Sequence, residues 1–222
     1  FVDGFSLDSY RVAFSKMGGC IRNTFTFSII AVALIVIIGT LIAYITVRRP
    51  NVVTNLLDIL TMMPYIIPGS VMGIALLLGF NKRPFMLVGS VTIIILAYVL
   101  RRMPYTIRSS AAILSGIHPS IEEASISLGA SNLKTFLKVT APMMAPGVLS
   151  GAILSWMTII SELSASVLLY VNKTQTMTIA IYTEVVRANY GTAAALSVML
   201  TLTTVIVLLL FFKISGSREI SL

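Results

Sequence analysis

The sequence predicts an all-α fold, a polytopic bundle of five membrane-spanning helices, and three observations lead there. Of 222 residues, 57% are hydrophobic and 11% charged, with a mean hydropathy of +0.96, which is more apolar surface than a soluble domain of that length hides. Long charge-free runs recur along the chain. One polar passage, residues 116–151, separates the third run from the fourth and is punctuated like two short helices joined by a turn. The net charge of +8 comes from Lys and Arg scattered at the ends of the apolar runs, where they act as headgroup anchors. No basic patch with interleaved aromatics occurs, so nucleic acid is excluded as a partner. Cys20 is the sole cysteine, and His118, the sole histidine, has no Cys or His beside it; no metal site is expected.

Residues 1–22 are mixed and polar, with Asp3, Asp8, Arg11, Lys16 and Arg22, and are expected to form a surface segment with a short amphipathic helix over 8–17. The chain starts at Phe1 without a signal-type leader. It is therefore expected to be a piece of a longer protein with an upstream half. Residues 24–47 form a run about 36 Å long as a helix, enough to cross a core of about 30 Å with tilt. The second span, 56–80, is interrupted by Pro64 to Gly69, a break that must face other helices or a water-filled path because lipid cannot satisfy the freed carbonyls. A structural kink without contact to any solute fits equally. Gly69 and Gly73 have the spacing of close helix packing. The third span, 87–105, ends in Arg101, Arg102 and Pro104; the fourth is 146–170 and the fifth 191–212, joined by a partly helical link over 171–190.

Within the polar passage, Ser120 is placed to cap a helix whose third residue is Glu123, and Gly129 to end it in a left-handed conformation. Ser131 is placed to cap a second helix that Pro142 stops after Ala141. Caps and periodicity alone fit equally an amphipathic hairpin lying on the membrane surface.

The order Glu123-Ala124-Ser125, Gly129, Val139-Thr140-Ala141-Pro142 resembles the signature loop of binding-protein-dependent ABC importer permeases: Glu-Ala-Ala, three residues, Gly, nine residues, Ile, any residue, Leu-Pro. Ser125, Val139 and Ala141 replace Ala, Ile and Leu, with the spacing intact. The resemblance covers about 23–212. It implies a type I importer transmembrane domain over 23–213, an extracytoplasmic segment 1–22, a cytoplasmic tail 214–222 and a coupling loop 116–145 that seats in a groove of a separate ATPase. On that loop it assigns coupling to Glu122, Glu123, Ala124, Ser125, Leu128, Gly129, Ala130, Leu133, Phe136 and Pro142. Five spans then put the N-terminus outside and the C-terminus inside a bacterial inner membrane.

The implied partners are an ABC ATPase, a second transmembrane domain, fused or separate, an extracytoplasmic substrate-binding protein, and the lipid bilayer itself. No cofactor is expected on this chain, ATP and Mg belonging to the partner ATPase; no phosphate-cradling Gly-rich loop is present in the sequence. The stretches Arg101-Arg102-Met103-Pro104-Tyr105, Ser161-Glu162-Leu163-Ser164 and Thr178-Ile179-Ala180-Ile181-Tyr182 are similar to the ferric iron branch and its phosphonate and polyamine relatives.

Glu162 lies about 24 Å into the fourth run. A carboxylate there must face the bundle interior, a cavity or a cation. Two roles stay open: lining or gating a translocation path together with its neighbours Ser161, Ser164 and Ser166, a path on which Pro64, Pro68 and Gly69 are also expected, or a structural interhelical pair. Rival functions are an ion-gradient-driven transporter or channel using Asp58 and Glu162, and a non-transporting scaffold. The two acids fall at opposite depths and no internal repeat is evident.

Overall fold

The computed structural model describes residues 6–215, and among these every regular element is helical. The expectations for Asp3 and for the tail beyond residue 215 lie outside them. In chain order the helices are α1 (Asp8–Arg48), α2 (Val52–Ile66), α3 (Gly69–Gly79), α4 (Val91–Ser115), α5 (Ser120–Ser127), α6 (Asn132–Thr135), α7 (Ala141–Ile160), α8 (Ser166–Leu169), α9 (Met177–Val186) and α10 (Tyr190–Ser215). A π-turn, Phe136–Thr140, joins α6 to α7, and a 3₁₀ turn spans Asn172–Thr174.

Several boundaries differ from the expected ones for identifiable reasons. The surface segment and the first span are one 41-residue helix. No proline occurs between Asp8 and Arg49, and Gly18-Gly19 is carried through because the turns around it bury Ala13 and Cys20. The second run does break, but only at Ile67 and Pro68; Pro64 lies inside α2. The helix of the expected third span, α4, runs ten residues past Tyr105, with Pro104 inside it.

The helix of the expected fourth span, α7, ends at Ile160, where the expected span continued to 170. There polar side chains take over the backbone bonds. Ser161 Oγ donates to the Met157 carbonyl, and Glu162 Oε1 accepts the Ala165 amide at 3.1 Å. Among the described residues three helices are long and apolar enough to cross a membrane, within Met17–Arg48, Asn132–Ile160 and Tyr190–Lys213, and α2 with α3 makes a fourth if taken as one broken span. The five-span count does not follow from them, since α4 carries Arg101, Arg102 and Arg108.

The chain divides into two compact units. Among the described residues, one comprises 6–31, 67–98 and 157–215. Its core joins the first turns of α1 to α9 and α10 through Ala13, Cys20, Met177, Ala180, Ala195 and Leu196. Polar bonds fix the loop before α9. Thr24 Oγ1 accepts the Met177 amide at 2.8 Å, and Asn23 Nδ2 donates to the carbonyls of Lys173 and Gln175. In the same unit α3 packs on α8, Gly73 lying against Ala165 and Leu168.

The other unit comprises residues 32–66 and 99–156. Here α4 and α7 approach so closely that only glycine fits: Gly147 lies against the Ser109 backbone and Gly151 against the Thr106 backbone and Ser109 Oγ. This is close packing through small residues, which brings backbones together where lipid offers no hydrophobic drive for association. Gly151→Ala would force its methyl into Thr106 and is expected to cost about 1–3 kcal/mol. Gly19→Ala, with open space around the added Cβ, gains up to about 1 kcal/mol of helix propensity. Thermal unfolding in detergent should show the first variant melting well below the second.

Candidate functional site

The passage between α4 and α7 folds as a helical hairpin. Its first helix is not capped by Ser120, as its sequence suggests. Pro119 occupies the cap position without a side-chain bond, and His118 Nδ1 accepts the Ser120 amide at 3.2 Å while lying 2.8 Å from Ser120 Oγ. Glu122 and Glu123 stand in the first turn, where the helix dipole favours negative charge.

The helix ends at Leu128 in a double bond pattern that satisfies its last carbonyls. Gly129 N–H donates to Ile126 O at 2.8 Å and Ala130 N–H to Ser125 O at 3.2 Å. Gly129 has φ +89°, a left-handed conformation that side chains with a Cβ resist. Ser131 then caps α6 by accepting the Lys134 amide, and Ser125 Oγ lies 3.0 Å from Thr135 Oγ1, tying the two arms together.

Pro142 does not stop the second arm. It sits in the first turn of α7, directly after the π-turn, in which Ala141 N–H reaches back five residues to Phe136 O. One wide turn lets the ladder continue past a residue that has no N–H to give.

The hairpin is anchored to α1 within the same unit. Arg48 Nε donates to Glu122 Oε1 at 2.8 Å, Tyr44 Oη donates to Glu122 Oε2 at 3.1 Å, and Arg48 Nη2 donates to Ile117 O at 2.9 Å. The pair is largely shielded, with side chains 11% and 13% exposed. Phe136 packs against Tyr44 with the two rings tilted at 59° and their centroids 4.8 Å apart.

This divides the expected coupling residues into two sets. Glu122 and Phe136 face α1, whereas Glu123, Ala124, Leu128, Gly129 and Pro142 are exposed, with Ser125 and Ala130 half-buried. Leu128 is 90% exposed at the tip. Leu133, also exposed, lines an apolar groove of about 480 Å³ with Val36, Thr40, Leu41 and Val148. Arg48 and Tyr44 were missed as hairpin residues. They lie more than seventy positions from Glu122, and no local pattern marks them.

The residues expected on a path are spread over both units. In the first, Glu162 is buried while Ser161 and Ser164 beside it are exposed, and the Glu162 carbonyl accepts Thr178 Oγ1 at 3.0 Å. Gly69 is buried at the start of α3 and Pro68 exposed before it. Pro64, in the second unit, is half-buried.

Comparison with known proteins follows this geometry. The chain is 34% identical over 198 residues, 89% of its length, to the ferric transport system permease protein FbpB of Actinobacillus pleuropneumoniae, and covers 29% of that relative. It is 29% identical over 176 residues to the molybdate/tungstate transport system permease protein WtpB of Thermococcus kodakarensis, covering 79% of this chain and 68% of that one. The chain thus spans less than a third of the FbpB relative's length.

Its fold matches a bacterial ABC transporter involved in the import of the acidic polysaccharide alginate, at a TM-score of 0.75 and 14% identity over 99% of this chain and 86% of that one. It also matches the MetNI methionine ABC transporter in an inward-facing conformation, at 0.71 and 16% over 95% and 98%. Residues 35–218, which include the whole hairpin and its anchor on α1, match the family described as the binding-protein-dependent transport system inner membrane component, and the chain belongs to that family.

Proposed function

We propose that this chain is the permease subunit of an ATP-driven ABC importer and that the hairpin over 119–142 couples it to a separate ATPase. The observation that carries this reading is the two-sided build of the hairpin: one face clamped to α1 by Arg48 and Tyr44, the other offering Glu123, Ala124, Leu128 and Gly129 free of the chain's own packing. A surface so held moves with α1 and transmits force. Shifting a two-state bundle from 1:99 to 99:1 requires about 5.5 kcal/mol of differential binding, which a loose tether does not convey.

In this reading the chain binds no nucleotide. ATP and Mg stay on the ATPase subunit, a second transmembrane domain completes the path, and an extracytoplasmic binding protein delivers the solute. The N-terminus lies outside and the C-terminus inside, with residues 1–22 extracytoplasmic, 23–213 the transmembrane domain and 214–222 the cytoplasmic tail. We infer ferric iron as the cargo metal, supported by the higher identity to FbpB than to WtpB. Glu162, Ser161, Ser164, Pro64, Pro68 and Gly69 border the path.

The deciding experiment is co-purification of an ABC ATPase with the full chain and with a variant lacking 116–145. Retention by the first and loss by the second is expected; equal retention ends the docking reading. Gly129→Pro removes an amide that donates to Ile126 and forbids φ +89°, so ATP hydrolysis is expected to continue while uptake falls at least tenfold. Alanine at Arg48, at Glu122 and at both should give a coupling energy of about 0.5–3 kcal/mol in a double-mutant cycle read by unfolding, with uptake lost alongside. Glu162→Gln keeps an acceptor for the Ala165 amide and removes the charge. Transport at the unaltered rate in that variant would remove Glu162 from the path.

A further inference from the structure

The first unit holds a cavity of about 430 Å³ between the early turns of α1 and the loop that leads into α9, within the range of about 300–1,000 Å³ usual for small-molecule sites. Two of its lining residues build the wall. Asn23 Nδ2 donates to the carbonyls of Lys173 and Gln175 at 2.9 and 3.0 Å. Gln175 Oε1 accepts from Cys20 Sγ at 3.5 Å while Gln175 Nε2 donates to Thr183 Oγ1 at 3.1 Å. The amides of Asn23 and Gln175 are thereby committed to joining two stretches 150 positions apart in the chain.

Three other lining side chains are not committed. Arg22 on α1, and Asn172 and Lys173 on the loop, are exposed, and among the described residues none of these side chains makes a hydrogen bond or ion pair. No Asp or Glu lines the cavity. Two cations therefore share it without a counter-charge, a mild repulsion in water that an anion converts to attraction.

We propose that this cavity binds a phosphate-type oxyanion through Arg22, Lys173 and Asn172, whether the oxyanion is free in solution or carried on a phospholipid headgroup. The donor set suits that chemistry. A guanidinium fork takes two oxygens of a phosphate, an ammonium adds a point charge, and the Asn172 amide adds a neutral N–H from the opposite stretch of chain. A tetrahedral anion has oxygens enough for donors arriving from two walls. The position of Arg22 agrees with it. It stands just before the charge-free run over 24–47, where a basic head reaches the polar edge of a bilayer while its stem lies along apolar surface. None of these residues belongs to the hairpin or to the set expected on the path, and the site does not depend on the importer reading.

The test reads Arg22 directly. On the full chain purified in dodecyl maltoside, phenylglyoxal labelling of Arg22 is followed by peptide mass spectrometry, with the exposed Arg11 on the same helix as internal reference. Inorganic phosphate, dihexanoylphosphatidylglycerol and acetate are each compared with potassium chloride of equal ionic strength. At several times its dissociation constant, phosphate or the lipid is expected to slow labelling of Arg22 about fivefold and to leave Arg11 unchanged. Protection by phosphate, with none added by the lipid, identifies a free oxyanion as the ligand; protection by the lipid at concentrations where phosphate has no effect identifies the headgroup.

Two variants examine the donors, at exposed positions whose side chains have no bond to lose. Lys173→Gln should raise the half-protecting concentration about tenfold. Asn172→Asp, which puts a carboxylate into the cavity, should abolish protection. Protection by neither phosphate nor the lipid overturns the proposal, as does equal protection by acetate, equal slowing at Arg11, or a half-protecting concentration unmoved in Lys173→Gln.

Discussion

The carboxylate of Glu122 is the point on which the second unit's order depends. It receives a guanidinium N–H from Arg48 and a phenol O–H from Tyr44, and the same arginine closes on the Ile117 carbonyl just before α5 begins. Three bonds from one turn of α1 thus fix where the hairpin starts and which way it faces. The Phe136 ring on Tyr44 fixes the other arm. A shielded ion pair of this kind adds little net stability over an apolar substitute but penalises misalignment, because either partner left alone is a poorly solvated charge. It specifies orientation more than it strengthens the fold.

The exposed face of the hairpin follows from that orientation. With Glu122 and Phe136 turned to α1, the helical repeat brings Glu123, Ala124 and Leu128 to the outside. The small Ala124, the left-handed Gly129 and the large exposed Leu128 then lie within two turns of one another, a shape that admits another backbone closely and offers it one apolar knob. The hydroxyl contact between Ser125 and Thr135 holds the two arms at a fixed spacing.

Much of this was legible in the sequence where local chemistry decides the outcome. Gly129, Ser131 and the break before Gly69 carry their conformations in their residue types, and the apolar runs announce an all-helical membrane fold. What was not legible depended on partners distant in the chain. Ser120 reads as a cap until His118 takes its amide. Pro142 reads as a stop until a wide turn absorbs it. The end of α7 at Ile160 depends on Glu162 accepting the Ala165 amide inside a run whose hydropathy continues smoothly. Arg48 and Arg101 look alike as residues flanking apolar runs, but only the fold shows that Arg48 is clamped to Glu122. Hydropathy marks helices apolar enough to cross lipid, and α4, carrying Arg101, Arg102 and Arg108, is not among them.

The π-turn at 136–140 has a bearing on how this loop tolerates insertion and deletion. A turn of that kind is an α-helix carrying one surplus residue, and each residue rotates a helix by about 100°. Removing the surplus would knit α6 and α7 into a single uniform rod and swing everything ahead of it around the axis. Phe136 would leave Tyr44, and the tip would point elsewhere. The length of this loop is therefore a compass setting, and a change of one residue would be felt more than many changes of side chain.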